Sequence, residues 1–289
     1  MANSPSHRFG QIIGNLLEEI IYPFLQEYAS TNGFYVDRSG IRGNARSGKK
    51  VTWEDKYGNN HDLDFVIEEG GTADQRGRPL AFIEAAWRRY TKHSRNKAQE
   101  IQGAILPIAE HHAWDAPFLG AIIAGVFTEG SIRQMESVGF TVLYVPYDTI
   151  LLSFQEIGIM VAFDESTPDD DFKQCVLQIE QLSEENHAII CRKLVALNQT
   201  KIDEFLERMA AALTRRIEKI FVIPLFGTTF EFTTIDDAKF FLSRDFALEA
   251  ADGLQKIEVI VMFSNGDKID GNFRTADKAS EFMDYVRSS

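Results

Sequence analysis

The sequence predicts an α/β domain followed by a smaller α+β domain. Three apolar runs, at 79–87, 118–127 and 140–147, alternate with two amphipathic stretches of helical spacing. Continuous apolar runs are typical of parallel strands that are covered on both faces, so this order predicts a mixed sheet with an αβαβ core. Near the C-terminus, "KIFVIPLF" at 219–226 and "KIEVIVMF" at 256–263 form a weak repeat, and each is followed by a second strand and a helix. The repeat predicts two ββα units.

The first elements follow from local patterns. A helix is predicted to start at Ser4 or Ser6, which are good N-caps, and to end near 31–33, because its apolar positions recur at helical spacing. The following elements are a basic, glycine-rich loop at 38–50, short strands near 51–56 and 62–68 joined by the turn "YGNN", a buried strand at 79–87, and a helix from Ser94.

The remaining elements complete the domain plan. A helix over 130–138 and a strand at 140–147 close the first domain, and helices are predicted near 169–185 and 197–217. The predicted domains are an α/β domain at 1–165, a helical connector at 166–217 and an α+β domain with two ββα units at 218–289. The pair "NG" within "SNGD" at 264–267 predicts a tight hairpin turn in the last domain.

The composition is that of a soluble globular protein. The chain has 289 residues, of which 44% are hydrophobic and 25% charged, and no run approaches the roughly 18 to 20 apolar residues that span a bilayer. We expect a cytoplasmic protein that does not bind membranes. Its two cysteines, Cys175 and Cys191, fall in a region of helical pattern, so we expect reduced thiols and no cysteine-based zinc site, for want of ligands.

The distribution of charge qualifies its total. A net charge of −13 argues against a polyanionic partner, because phosphates are neutralised by Lys and Arg. The basic residues nevertheless cluster in two short segments, and a phosphate responds to the local field. Those expected to hold a phosphate backbone are Arg42, Lys49, Arg88, Arg89 and Arg95.

Acidic residues interrupt two apolar strand patterns between these basic segments. Alternation along "HDLDFVIEE" sends Asp62 and Asp64 to one face, and Glu84 shares a face with Phe82 in the next strand. If the strands are neighbours, Asp64 and Glu84 cannot both stay ionised without a cation between them. Converging carboxylates suit Mg²⁺. Glu68 and Glu69 are predicted to lie at a solvated end of the strand.

These residues resemble the PD-(D/E)xK nuclease superfamily, and type II restriction endonucleases in particular. Asp64 opens a strand, Glu84 lies in "FIEAA" in the next, and the helix, strand, helix and strand that follow match the family's order over roughly residues 10 to 150. The resemblance implies a restriction-endonuclease-like fold, double-stranded DNA as substrate, and Mg²⁺ held by Asp64, Glu84 and the backbone carbonyl of Ala85.

The chain departs from the family at its third element. The lysine two positions beyond the glutamate falls on Ala86, which offers nothing to a water or a phosphate. On a helix from Ser94, Lys97 projects to the side that faces the sheet, so Lys97 is the preferred substitute and Lys92 the second. Arg88 ranks third.

Three further acids remain open as metal ligands. Many members of the family carry a glutamate on the first helix, where "GNLLEE" offers Glu18 and Glu19 without a geometric preference. Asp62, in phase with Asp64, is either a ligand of a second metal or an exposed residue.

The sequence therefore predicts a Mg²⁺-dependent DNA endonuclease of restriction type. Asp64, Glu84 and a lysine are its catalytic residues, and a homodimer matches the two strands of its substrate. The alternative is a non-catalytic nucleic-acid-binding or assembly protein on a degenerate nuclease fold, of which Ala86 would be the sign. A serine hydrolase is disfavoured because no "GxSxG" elbow occurs.

Overall fold

The structure, a computed structural model, falls into two compact units. It describes residues 4–40, 42–43, 46, 48–90, 94–164, 166–224, 228–244 and 256–287, with Arg287 described by its backbone alone. One unit comprises Met1–His111 with Phe118–Met209, and the other comprises His112–Pro117 with Ala210–Ser289. None of the described helices is long and apolar enough to cross a bilayer.

The first unit contains seven strands and six helices among its described residues, counting the long helix in which the division between the units falls. In chain order they are α1 (Pro5–Asn32), β1 (Phe34–Arg38), β2 (Val51–Glu54), β3 (Asn60–Leu63), β4 (Phe65–Glu69), β5 (Arg78–Arg88), α2 (Ser94–His111), β6 (Phe118–Gly125), α3 (Glu129–Ser137), β7 (Phe140–Pro146), α4 (Tyr147–Gln155), α5 (Asp169–Glu180) and α6 (Glu184–Leu213).

The first helix begins and ends where the sequence predicted. The Ser4 side chain accepts a hydrogen bond from the backbone N–H of His7 at 3.3 Å, which satisfies one free donor of the first turn. Gly33, at a φ of 73°, closes the helix in the left-handed conformation that glycine adopts without strain.

A five-stranded mixed sheet forms the centre of this unit. Its order is β1-β4-β5-β6-β7, in which β5, β6 and β7 are parallel and β1 and β4 are antiparallel to their neighbours. The predicted mixed α/β class and the order strand, helix, strand, helix, strand are therefore confirmed. The apolar side of α2, with Ile101 and Ile105, packs in one core cluster with Phe82 and Ile123.

The predicted strand at 62–68 is wrong. The chain forms two strands there, because β3 pairs with β2 in a separate two-stranded sheet while β4 enters the central sheet. Asp64 lies at the bend between them. The expected hairpin is confirmed, with its turn at the predicted "YGNN", but it is β2–β3 alone.

The prediction that Glu68 lies at a solvated strand end is also wrong, because its side chain is fully buried. Arg46 donates to both of its carboxylate oxygens, at 2.6 and 2.8 Å, and to Asp37 at 2.9 Å. Both carboxylates and the guanidinium are almost wholly excluded from water. A buried charge is tolerated only with such partners, so Arg46 of the basic loop is a structural residue.

The segment predicted as a connector, 166–217, is occupied by α5 and α6. Phe172 of α5 packs against Phe9 of α1, with ring centroids 6.0 Å apart, and Phe205 of α6 packs on Phe118 of β6 at 5.6 Å. The division between the units falls within α6, after Met209.

The second unit contains the predicted repeat. Its further elements are β8 (Ile217–Pro224), β9 (Phe230–Phe232), α7 (Ile235–Arg244), β10 (Ile257–Phe263), β11 (Lys268–Phe273) and α8 (Ala276–Arg287). The sheet is antiparallel in the order β11-β10-β8-β9. Two strand–strand–helix units are thus present, and Gly266, at a φ of 88°, lies in the predicted turn between β10 and β11.

We expect Arg46→Met to reduce the free energy of unfolding by about 3 to 5 kcal/mol, because it leaves Asp37 and Glu68 buried without their shared guanidinium. Urea unfolding followed by tryptophan fluorescence measures the change. Arg95→Met, at an exposed position, is the matched control and should stay within about 0.5 kcal/mol of wild type. Equal midpoints for the two variants would contradict the structural role of Arg46.

Candidate active site

The strands β4 and β5 bring Asp64 alongside the middle of β5. Their antiparallel register pairs Phe65 with Ile83, and Asp64 directly precedes the first of these residues. The Asp64 carboxylate accepts a hydrogen bond from the backbone N–H of Ala85 at 2.6 Å. Asp64 is thereby fixed next to Glu84, as the sequence pattern anticipated.

Glu84 points to the side of the sheet that α2 covers. Its carboxylate oxygen Oε1 lies 3.6 Å from Nζ of Lys97. Its other oxygen, Oε2, is buried and has no hydrogen-bond partner among the described residues. An unpartnered buried carboxylate oxygen is costly, so this atom is a candidate cation ligand.

Lys97 reaches the site from the first turn of α2, on the face predicted from the helical spacing. It is 3.6 Å from Glu84 and 3.6 Å from Glu100, and its side chain is only 17% exposed. A lysine thus stands beside the acidic pair although the strand position two beyond Glu84 carries none. Lys92, the second candidate, lies outside the described residues.

Ala86 is part of the apolar core. It is 4% exposed and belongs to the cluster that contains Phe82, Ala98 and Ile101. The strand position two beyond Glu84 is therefore packed against α2, and Lys97 of that helix is the described lysine that lies beside Glu84.

The first helix adds Glu18, and the structure separates it from Glu19. Glu18 is half-buried and close enough to Asp64 for their charges to interact, whereas Glu19 is exposed on another side of α1. Arg38, which lies over the ring of Tyr22 at 3.7 Å, is the cation that opposes this repulsion.

Burial and mutual repulsion favour protons on these carboxyls. Desolvation, followed by the charge of Asp64, raises the pKa of Glu84 to about 8, with a smaller opposing effect from Lys97. The same two causes raise the pKa of Glu18 to about 7. Burial also raises the pKa of Asp64 against the Ala85 hydrogen bond. A cation would allow all three to ionise, so the donor set fits Mg²⁺.

Asp62 does not join the carboxyl cluster, and of its two predicted roles the structure favours the exposed residue. The bend at Asp64 puts Asp62 in the β2–β3 hairpin, where it accepts from Lys50 at 2.5 Å and from Thr52 at 2.8 Å. These hydrogen bonds lower its pKa, so Asp62 is an ion-paired carboxylate at an exposed position.

The basic residues expected to contact DNA have different environments. The prediction that Arg42 contacts a DNA backbone is corrected, because its guanidinium is buried and donates to Asp37 and to the carbonyl of Lys50. Lys49 and Arg95 are exposed. Arg88 and Arg89 are half-buried.

Both half-buried arginines line an open cleft of about 680 Å³ beside the carboxyl cluster. Arg88 bonds the Trp87 carbonyl at 2.9 Å and Glu100 at 3.3 Å, and the Arg89 guanidinium lies 4.3 Å from the ring centroid of Phe172. The walls of this cleft are formed by the start of α1, the end of β5 and the start of α2. Ala85 and Lys97 are among the residues that line it. The cleft therefore has a positive side that adjoins the acids.

The wall supplied by α1 was missed from the sequence. His7, Gly10 and Gly14 line this cleft. A Cβ at Gly10 would lie 3.7 Å from Trp87, and one at Gly14 would meet nothing within 4 Å. Two glycines four apart in a helix interior are unfavourable for the helix, and this spacing was the available signal for an open helix face.

Comparisons with known proteins give little context. No family model and no curated protein matches the chain. A search of solved structures finds the crystal structure of a protein of unknown function, AF1548, at 12% identity and a TM-score of 0.30, covering 68% of this chain and 94% of that one.

The raised pKa of Glu84 predicts how stability depends on pH. The folded-state pKa of Glu84, about 8, lies above the ordinary value of 4.5. The contribution of the protonated group to the free energy of unfolding is therefore complete below about pH 4.5 and is lost as the pH rises through 8. Glu84→Gln cannot ionise. In EDTA, we therefore expect its Tm relative to wild type to be higher at pH 9 than at pH 6.

Thermal unfolding at the two pH values measures this difference. Glu129→Gln, at a position 86% exposed, is the control and should show no such trend. Mg²⁺ should raise the Tm of wild type at pH 9 and have less effect on Glu84→Gln. A pH-independent difference would show that Glu84 is not held in a repulsive, desolvated site.

Proposed function

We propose that the chain is a Mg²⁺-dependent endodeoxyribonuclease of restriction type, with a restriction-endonuclease-like first unit. The observation that carries this proposal is the meeting of Asp64, Glu84 and Lys97. The Asp64 carboxylate lies on the N–H of Ala85, and Lys97 lies 3.6 Å from Glu84. Two acids and a lysine at the edge of a positive cleft are the groups that phosphodiester hydrolysis needs.

The residues that would hold Mg²⁺ are Asp64 and Glu84, with the Ala85 carbonyl as a backbone ligand. Glu18 is the third nearby carboxyl. When bound, the ion supplies an activated water and charge stabilisation at the phosphate. Raised pKa values mean that Glu84 and Glu18 lose their protons most readily when a cation offsets the repulsion.

Lys97 supplies positive charge where a phosphate would approach. Its ammonium group is partly excluded from water. A charge in such a site stabilises a developing negative charge much more strongly than a charge at an exposed site does. Its three donors can hold a phosphate oxygen or orient the attacking water. Glu84 and Glu100 keep the flexible side chain in place before substrate binds.

The cleft beside these groups is proposed to receive the DNA backbone. Arg88 and Arg89 line it, and exposed Lys49 and Arg95 are proposed as outer phosphate contacts. A two-fold dimer would present one such site to each strand of a duplex. The competing function is non-catalytic binding of nucleic acid. It is favoured by Ala86 being a core residue and by Lys97 being already ion-paired.

Cleavage of supercoiled plasmid in Mg²⁺ tests the carboxylate assignment. We expect Asp64→Asn and Glu84→Gln each to reduce the cleavage rate by at least about 100-fold, since even outer-shell changes at metal sites cost up to that factor. Asp62→Asn is the matched control, two residues away in the ion-paired hairpin, and should keep the wild-type rate.

The outcomes separate the two functions. Equal cleavage by wild type and Asp64→Asn would show that the cluster of Asp64 and Glu84 is not the catalytic site. Metal-independent DNA binding without cleavage, together with a Tm that Mg²⁺ does not shift, would establish the non-catalytic alternative.

The role of Lys97 is tested by Lys97→Met and Lys97→Arg. Removing the charge should lower kcat by about 10² to 10³-fold with little change in KM for DNA, because its effect is exerted on the developing charge. Arginine should restore part of the rate. Lys50→Met is the control, since Lys50 pairs with Asp62 away from the cluster. If Lys97→Met is as active as wild type and Lys92→Met is not, Lys92 is the catalytic lysine.

A further inference from the structure

A second group of potential metal ligands lies on another side of α1. Nε2 of His187 is 3.4 Å from the Glu19 carboxylate, and Nδ1 of the same ring is 3.8 Å from Sγ of Cys191. One donor atom from each of the three residues lies within 4.8 Å of the others. This group shares no residue with the Asp64 cluster.

The arrangement follows from helix geometry. His187 and Cys191 are four residues apart on α6, so they project from one face. Glu19 follows Glu18 on α1, and successive helical residues point about 100° apart, which directs the two glutamates to different sites. Cys191 therefore has two neighbouring side chains that could act as metal ligands, which the sequence did not predict.

The three donors suit a borderline-soft cation. Thiolate, imidazole and carboxylate are the ligands of Zn²⁺, with bonds of about 2.3, 2.0 to 2.1 and 2.0 to 2.2 Å. Two such donors at a tetrahedral angle are roughly 3.4 to 3.6 Å apart, whereas the three donor atoms here lie within 4.8 Å of one another, so binding draws the side chains closer together. The imidazole faces its two neighbours with different nitrogens, so binding requires the ring to offer one of them. Glu19 and His187 are 54% and 40% exposed and free to adjust.

We propose that Glu19, His187 and Cys191 form a Zn²⁺ site with three protein ligands and an open fourth position. The adjoining cleft, of about 1010 Å³, is lined by all three residues and by the apolar side chains of Ile20 and Val195. Three ligands with an exchangeable position leave the ion accessible to a water or a small ligand from this cleft. The ion would also link α1 to α6.

Protonation of the thiol does not oppose this assignment. Burial raises the pKa of Cys191 to about 11, so the thiol carries its proton when no cation is near. Coordination to Zn²⁺ deprotonates a thiol outright, and the released proton passes to solvent.

Titration of the full-length, metal-free protein with Co²⁺ tests the proposal, because a cobalt–thiolate bond gives a charge-transfer band in the near ultraviolet. We expect one thiolate-bound Co²⁺ per chain, a band that Zn²⁺ abolishes and excess Mg²⁺ does not, and loss of the band in Cys191→Ser. Cys175→Ser, which changes the other cysteine, is the matched control and should keep it.

Two further variants make the outcome decisive. His187→Ala should weaken Co²⁺ binding at least about tenfold, while Glu84→Gln should leave the band unchanged, so failure of this site is separate from failure of the proposed nuclease site. Zn²⁺ should raise the Tm of wild type and not that of a Cys191→Ser protein whose circular dichroism is native. Absence of the band in wild type, or its persistence in Cys191→Ser, would overturn the assignment.

Discussion

The antiparallel pairing of β4 with β5 is the constraint on which the carboxyl cluster depends. A slip of one residue would turn Asp64 away from Glu84 and expose the apolar side chains that share its face. Val66 and Phe82 are both completely buried and pair directly, so burial of apolar surface fixes the register. The core thus stabilises an arrangement that the acids themselves oppose, and the cost is concentrated where Asp64 and Glu84 meet.

Periodicity was enough to predict most helices and strands and the approach of Asp64 to Glu84. These features depend on neighbours in the sequence or on adjacent strands. The strand break at Asp64 had no such signal, because alternation continues unbroken through "HDLDFVIEE" while the chain passes from one sheet to another. The burial of Glu68 and the meeting of Glu19 with Cys191 depend on contacts between distant segments, which no local pattern records.

Charge counting was the least informative part of the sequence. Two arginines of the basic loop, Arg42 and Arg46, point inward and neutralise Asp37 and Glu68. Lys49 and Arg95 are exposed, and Arg88 and Arg89 are half-buried along a cleft. The basic loop of this chain therefore contains both buried arginines that pair with internal carboxylates and exposed cations on the surface. Only the geometry tells which cations can meet a ligand.

The buried side chain of Ala86 bears on how the site can change over generations. A lysine at that position would press on the apolar cluster of Phe82, Ala98 and Ile101, and its ammonium group would reach water through the cleft that Ala86 also lines. A lysine on the strand therefore costs packing between β5 and α2, whereas a lysine on the first turn of α2 leaves that packing intact.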